Sequence, residues 1–361
     1  MDAAIESLNS APWYAGKRVL VTGHTGFCGS WLSQWLIREG AFVTGVALEN
    51  DSPHALYKVL GLTGKMDSTL GDIRDRGVIA DVFQRSRPDI VFHLAAQPLV
   101  KLSYEDPEET FESNVLGTLN ILRAAHKVGT VKSFVNITSD KAYQNNEWCW
   151  GYRENDRIGG HDPYSCSKAC ADLLATSFHL SYCQSDSAMS LGTARAGNII
   201  GGGDWAQDRI IPDICRAAIE KKPVVLRNPQ GVRPWQHVLE PLRGYMALGK
   251  ALYEGRFKGE AFNFGPGRES SCTVDELTKA MHRLIGGSIE YNVSPAAVHE
   301  AGLLTLDIAK SISRLGWKPV LKIEESLQLT AEFYLAQMDS PEKVPSMLDS
   351  QIEYYCNRLS E

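Results

Sequence analysis

The stretch VLVTGHTGFCGSWLSQWL, residues 19–36, carries the information that decides the fold. An apolar, β-branched run leads into Gly23, Gly26 and Gly29, and a helix-forming segment follows. The pattern predicts a buried parallel strand over Lys17–Gly23 and a helix over Gly29–Arg38. Glycine is required at such a strand-to-helix turn because a side chain would keep a pyrophosphate away from the backbone amides. The helix N-terminus then offers its unpaired N–H groups and the positive end of its dipole. Three glycines alone describe any tight turn; after a strand and before a helix they describe a dinucleotide site, with Gly23, His24, Gly26, Phe27 and Gly29 as its first residues. His24 admits two readings: it contacts the diphosphate, or it obstructs cofactor entry.

Outward from this turn, strands and helices keep alternating. AFVTGVAL (41–48), a strand ending before Gly71, DIVFHLAA (89–96) and KSFVNITS (132–139) read as strands. Helices are expected around Val78–Ser86 and over Thr110–Lys127. The fold class is therefore α/β, a doubly wound parallel sheet of Rossmann type with right-handed crossovers. After Ala194 the texture changes to loops rich in Gly, Pro, Asn and Arg, followed by helical segments at Val274–Leu284 and Ile323–Gln337. These predict a smaller, interleaved substrate-binding lobe. The expected division is residues 1–196 plus about 232–270 for the cofactor domain, and about 197–231 plus 271–361 for the substrate lobe.

Bulk properties narrow the function classes. The 361 residues are 43% apolar and 22% charged, which supports a sizeable core and excludes a disordered or disulfide-stapled chain. No apolar run reaches the roughly 20 residues of a membrane span. The opening MDAAIESLNSAPWYAG lacks the basic head and apolar run of a leader, so a cytoplasmic address is expected. A net charge of −6 without a basic stripe argues against nucleic acid as partner. The eight cysteines form no CxxC pair, and no structural metal is expected.

The second strand ends at Leu48-Glu49-Asn50-Asp51. An acid here accepts hydrogen bonds from the adenine-ribose hydroxyls and repels a 2′-phosphate, so Glu49 first and Asp51 second favour NAD. Further along, DPYSCSKACADLL (162–174) places Tyr164 and Lys168 four apart on one helix face. A nearby ammonium favours the phenolate, so Lys168 is expected to lower the Tyr164 pKa.

With GDIRD (71–75), HLAAQ (93–97), SNVLGT (113–118) and RAGNIIGGGDW (195–205), the chain resembles the extended short-chain dehydrogenase/reductase family over about residues 17–319. The resemblance implies that Asp72, Ile73, Ala95, Ala96, Asn114 and Thr138 surround NAD, and that Lys168 holds the nicotinamide ribose. NITSDKAY (136–143), WGYRENDRIGGHDPYS (150–165), GNIIGGGDWAQDRIIPD (197–213) and RNPQGVRPWQHVLEPL (227–242) are similar to sugar-nucleotide 4,6-dehydratases of the CDP-glucose type. That type carries Ser-Asp-Lys, here Ser139, Asp140 and Lys141, where related dehydratases carry Thr-Asp-Glu. Cys166 and Ala169 depart from the expected Asn and Gly without removing a catalytic group.

The resemblance implies the roles. Tyr164 deprotonates the sugar 4-hydroxyl, Ser139 bonds O4, Asp140 protonates the departing C6 hydroxyl, and Lys141 removes the C5 proton. Asp140 must then be neutral and acidic, and Lys141 neutral and basic; burial is expected to shift both. Gln97, Asn198, Arg209, Arg227, Arg233 and His237 are implied at the CDP-sugar end, where guanidinium groups suit a diphosphate. Packing of the Thr110 and Tyr164 helices against a second copy, as a homodimer or homotetramer, is the family expectation. Two alternatives are a nucleotide-sugar epimerase, which has no need of the Asp140-Lys141 couple, and a catalytically silent NAD-binding scaffold.

Overall fold

The apolar run before Gly23 forms β1 (Arg18–Thr22), and Val19, Leu20 and Val21 are almost wholly buried. A strand covered on both faces needs neighbours on both edges, and β1 has them. It pairs in parallel with β2 (Phe42–Ala47) and with β4 (Ile90–His93). The computed structural model describes residues 12–185, 189–267, 270–286, 291–293 and 303–360. Most of the amino-terminal stretch read above for a leader thus lies outside the described residues. The sheet has seven parallel strands in the order Ala261–Phe264, β6 (Ser190–Ala196), β5 (Ser133–Ile137), β4, β1, β2 and β3 (Asp67–Leu70). The chain reverses direction across the sheet between β1 and β4, which opens a crevice at their carboxyl ends.

Several elements differ from expectation for identifiable reasons. The strand read over residues 89–96 stops at His93, because Leu94–Ala96 leave the sheet to wall the crevice. The helix expected over Thr110–Lys127 is divided into Pro107–Phe111, a π-helical turn at Glu112–Gly117, and Thr118–Val128. Such a turn adds one residue per winding and redirects side chains, here Asn114. The loop-like region after Ala194 contains the helices Ile210–Glu220 and Leu239–Tyr253. The second of these closes one face of the sheet, with the Ser133 hydroxyl donating to the Gly249 carbonyl at 2.8 Å.

A separate apolar cluster of Ile211, Ile214, Leu226, Trp235, Leu277, Met281 and Tyr334 builds the smaller part of the molecule. The expected assignment of 271–361 to that part needs correction. Trp317, Phe333, Leu348 and Tyr355 join the core of the large sheet, because the helix Val344–Arg358 packs beneath α1 (Phe27–Arg38). No described helix is long and apolar enough to cross a membrane. All eight cysteines are free thiols. Among the described residues no group of three His, Cys, Asp or Glu is placed to hold a metal.

Candidate active site

Two clefts meet at the carboxyl edge of the sheet. The first, about 590 Å³, runs from the glycine turn past Glu49 and Asp72 to Ala95 and Ala96. Gly23 has φ +78°, and a Cβ there would lie 2.9 Å from the Ala95 nitrogen. At Gly29 a Cβ would meet the Gly23 carbonyl oxygen at 2.1 Å. The turn is therefore wound too tightly for side chains at these two positions. Gly26 caps α1 without a side-chain hydrogen bond, and Phe27 and Cys28 line the cleft behind it. This is the cradle that a pyrophosphate fits: a bare turn and a helix N-terminus with no capping side chain. Glu49, Asn50 and Asp51 stand at the far wall, where a ribose diol would be read.

The second cleft, about 800 Å³, is lined by Asp140, Lys141, Asn198, Arg227, Arg233 and Trp235, with the mouth of the Tyr164 helix (Pro163–Tyr182) opposite. Asp162 caps that helix by accepting from the Ser165 amide and hydroxyl. Asp140 is 4% exposed and accepts a 2.9 Å hydrogen bond from the Ser139 hydroxyl. Burial raises its pKa, and Lys141, Ser139 and Arg233 partly oppose the rise. A Cβ at Gly197 would sit 2.0 Å from the Asp140 carboxylate, so Gly197 makes room for it. Asn198, at φ +50°, turns its amide toward the same carboxylate at 3.4 Å.

Tyr164 is buried, within electrostatic reach of Asp140 in the second cleft and Arg209 in the first. Burial pushes its phenol up to about 12; a hydrogen bond with Ser139 and the Arg209 charge pull it down, while Asp140 pushes it further up. The expectation that Lys168 would depress it is corrected: the cation acting on the phenol is Arg209. Lys168 is itself buried, which lowers its ammonium to about 8. Lys141 also departs from expectation. Its side chain is exposed at the cleft, so the burial expected to neutralise it is missing.

Five further site residues sit elsewhere than expected. The His24 ring turns under the sheet, where its Nε2 meets the Ser68 hydroxyl at 2.8 Å and its face presses on Gly45. It neither meets a diphosphate nor blocks the cleft, and burial lowers its pKa to about 4. His237 is a core residue against Trp31, 5.9 Å between ring centroids, and burial lowers it to about 3. Gln97 lies on the first cleft, with its amide engaged by Leu99 and the Thr110 hydroxyl. Thr138 points inward to the Asp172 carboxylate at 3.2 Å. Arg209 lines the first cleft instead of the second, held by Asp204 at 2.8 Å.

Asn114 supports the site from behind. Its amide donates to the Gln97 carbonyl and to the Ser167 hydroxyl, and its oxygen accepts from the Gln97 amide. Ser167 in turn donates to the Tyr164 carbonyl, and the Tyr164 amide donates to the Ser103 hydroxyl. Under Thr138 lies a buried Asp172–Arg195 ion pair at 2.7 Å, with Arg195 also reaching the Tyr143 hydroxyl. Ser103, Ser167 and Asp172 went unread in the sequence, because their partners are distant in the chain. Arg195 and Gly197 stood in a quoted motif without a role. Of the aromatic segment before Tyr164, Trp148 stacks on Tyr152 and Tyr152 on Tyr143, while Asn145 faces the second cleft.

The comparisons agree with this geometry. The family model for GDP-mannose 4,6 dehydratase matches residues 20–330. A CDP-glucose 4,6-dehydratase of Salmonella typhimurium is 47% identical over 90% of this chain and 92% of its own length. Among solved structures, a UDP-glucose 4-epimerase of Thermotoga maritima with UDP-glucose superimposes with a TM-score of 0.79 at 25% identity, covering 89% of this chain and 99% of that one. The Thermus thermophilus UDP-glucose 4-epimerase in complex with NAD gives 0.75 at 26% identity, over 88% and 98%. The chain belongs to the GDP-mannose 4,6 dehydratase family of extended short-chain dehydrogenase/reductases.

Proposed function

We propose that this enzyme binds NAD in the first cleft and dehydrates CDP-D-glucose in the second, giving CDP-4-dehydro-6-deoxy-D-glucose with no net change in the cofactor. The observation that carries the reading is Asp140. It is a buried carboxyl whose pKa is raised, bonded to Ser139 and within electrostatic reach of Tyr164. A 4-epimerase needs no acid for a departing hydroxyl, whereas a dehydratase does. The 47% identical relative bears the same name as the proposed activity.

Gly23, Gly26, Gly29 and the α1 N-terminus would hold the cofactor diphosphate, Glu49 the ribose diol, and Lys168 the nicotinamide ribose. When bound, NAD supplies the two-electron acceptor that takes hydride from sugar C4 and returns it at C6, and in its oxidised form it adds a ring cation. Tyr164 would take the 4-hydroxyl proton as its phenolate, a form that burial disfavours in the free enzyme and that the ring cation of bound NAD would favour. Ser139 donates to O4. Asp140, held toward its neutral form by burial, gives its proton to the leaving C6 hydroxyl so that water departs. Lys141, exposed at the cleft in the free enzyme, would take the C5 proton made acidic by the 4-ketone only once bound sugar covers it and it has shed its own proton. Arg233 and Arg227 suit the CDP diphosphate from the rim of the second cleft. The enzyme is cytoplasmic in this reading. A second copy would cover Leu116, Leu173 and Leu180, exposed on the π-helical turn and the Tyr164 helix.

Incubation with catalytic NAD and, in parallel, CDP-, dTDP-, GDP- and UDP-glucose tests the assignment. The expected result is a 4-keto product from the CDP-sugar at a kcat/KM at least tenfold above the others. A C4-epimerised sugar without water loss would assign an epimerase instead.

A further inference from the structure

The segment Gly203–Ala206, within the stretch 197–231 expected in the substrate lobe, lines the first cleft. Three contacts fix it there. A Cβ at Gly202 would fall 1.9 Å from the Phe333 ring, so the segment passes directly over the helix Ile323–Asp339. At Gly203 (φ +85°) it presses on Leu56 from the other side. The Trp31 indole N–H donates to the Gly202 carbonyl at 2.9 Å from beneath.

Beyond this wedge, Trp205 reaches the loop that follows β2. Its ring lies 4.7 Å from that of His54, and its indole N–H donates to Gln337 Oε1 at 3.1 Å. The same Gln337 side chain, only 5% exposed, donates from Nε2 to the His54 carbonyl at 3.1 Å. Tyr334, one turn earlier on the helix, sets its ring edge-on to Trp205 and bonds the Asp204 carbonyl. One buried amide thus ties together two segments about 150 residues apart in the chain. Both segments contribute to the wall of the first cleft, one through Trp205 and the other through Asp51, Ser52 and Ala55.

We infer that Trp205, clasped by Gln337 to the His54 loop, closes the adenosine end of the cofactor cleft and governs how long the dinucleotide stays bound. Gln337 is a positioning residue in this arrangement; it orients the indole and the loop and does not line the cleft. The inference rests on the reading that the first cleft takes NAD. It makes cofactor retention a property of the helix Ile323–Asp339 as well as of the glycine turn, because parting Trp205 from the His54 loop requires breaking one or other of the Gln337 bonds.

The test uses the full-length chain and NAD itself. Affinity is measured by titration calorimetry, and release by stopped-flow after an excess of a competing dinucleotide. Gln337→Ala is expected to weaken NAD binding about fivefold, as for loss of hydrogen bonding at one buried side chain, with the change in the release rate. Trp205→Phe, which keeps a ring over the loop but loses the N–H, is expected to match it; Trp205→Ala is expected to exceed both. Gln337→Glu can accept from the indole but cannot donate to His54, and is expected to fall between wild type and Gln337→Ala. Melting of the cofactor-free variants separates a merely structural role, which would lower Tm and leave affinity and release alone. If the wild type binds NAD and the folded variants bind and release it equally well, the clasp is refuted. If the wild type takes up no NAD, the cofactor reading itself fails and the clasp falls with it.

Discussion

The two clefts are built by opposite strategies. The cofactor cleft is founded on one continuous segment in which backbone crowding dictates the residues: Gly23 and Gly29 have no room for a Cβ. The substrate cleft is assembled from the side chains of Asp140, Asn198, Arg227 and Arg233, which arrive from separate points of the chain, with charge and burial deciding what they do. A steric constraint leaves an imprint in a short motif, and an electrostatic one does not. Tyr164 is coupled to both, since it feels Asp140, which lines the substrate cleft, and Arg209, which lines the cofactor cleft.

Substitution at glycine breaks the comparison most sharply. Gly29→Ala places a methyl 2.1 Å from a backbone oxygen that cannot move away cheaply. Loss of roughly 2 kcal/mol or more of stability is expected in urea unfolding, together with loss of measurable NAD binding. Behind the substrate cleft, Gly231→Ala meets the Asn228 side chain at 3.1 Å and is expected to cost under about 1 kcal/mol, whereas Gly197, which makes room for Asp140, is expected to be as intolerant as Gly29. Equal effects at Gly29 and Gly231 would dissolve the distinction.

Asp140→Asn sharpens it from the other side. The buried volume is kept while the proton donor is lost, so kcat should fall roughly 10²–10⁴-fold. NAD affinity should stay within about twofold, because the residue does not line the first cleft. Steady-state turnover and cofactor titration on the same preparation check both halves.

The smallest effect concerns His237, which the structure moves from the substrate end to the core. Its folded pKa is depressed to about 3 by burial. The unfolded chain takes up this proton below about pH 6.5 and the folded chain does not. This group therefore costs no stability above about pH 6.5, and the loss grows as pH falls toward 3, reaching about 2 kcal/mol at pH 5. Urea midpoints of wild type and His237→Phe at pH 7.5 and 5 should show the variant losing less stability on acidification. A larger loss in the variant would return His237 to a charged, solvent-facing role.

What the sequence revealed follows the same division. The strand-glycine-helix grammar marked β1, α1 and the cradle, since those constraints lie within twelve residues. Ser-Asp-Lys and the Tyr164–Lys168 spacing marked the chemistry. What stayed hidden depends on tertiary neighbours. His24 and His237 look like ligands until Gly45 and Trp31 are seen to enclose them. Arg209 looks like its neighbours Arg227 and Arg233, yet Asp204 holds it on the cofactor side. The spacing predicts that the lysine one turn along acidifies the Tyr164 phenol, but burial raises it and the cation that acts on it is Arg209. Gln337, 283 residues from His54, has no local signature at all.

The central claim is that both clefts act on one sugar within a single redox-neutral cycle joined at Tyr164. Turnover of CDP-glucose deuterated at C4, followed by mass spectrometry and by absorbance of reduced cofactor, tests it most directly. The expected product is a 4-keto-6-deoxy sugar carrying the deuterium at C6, with no steady accumulation of NADH. Stoichiometric NADH, or a dehydrated product from which the C4 label is lost to solvent, would contradict it.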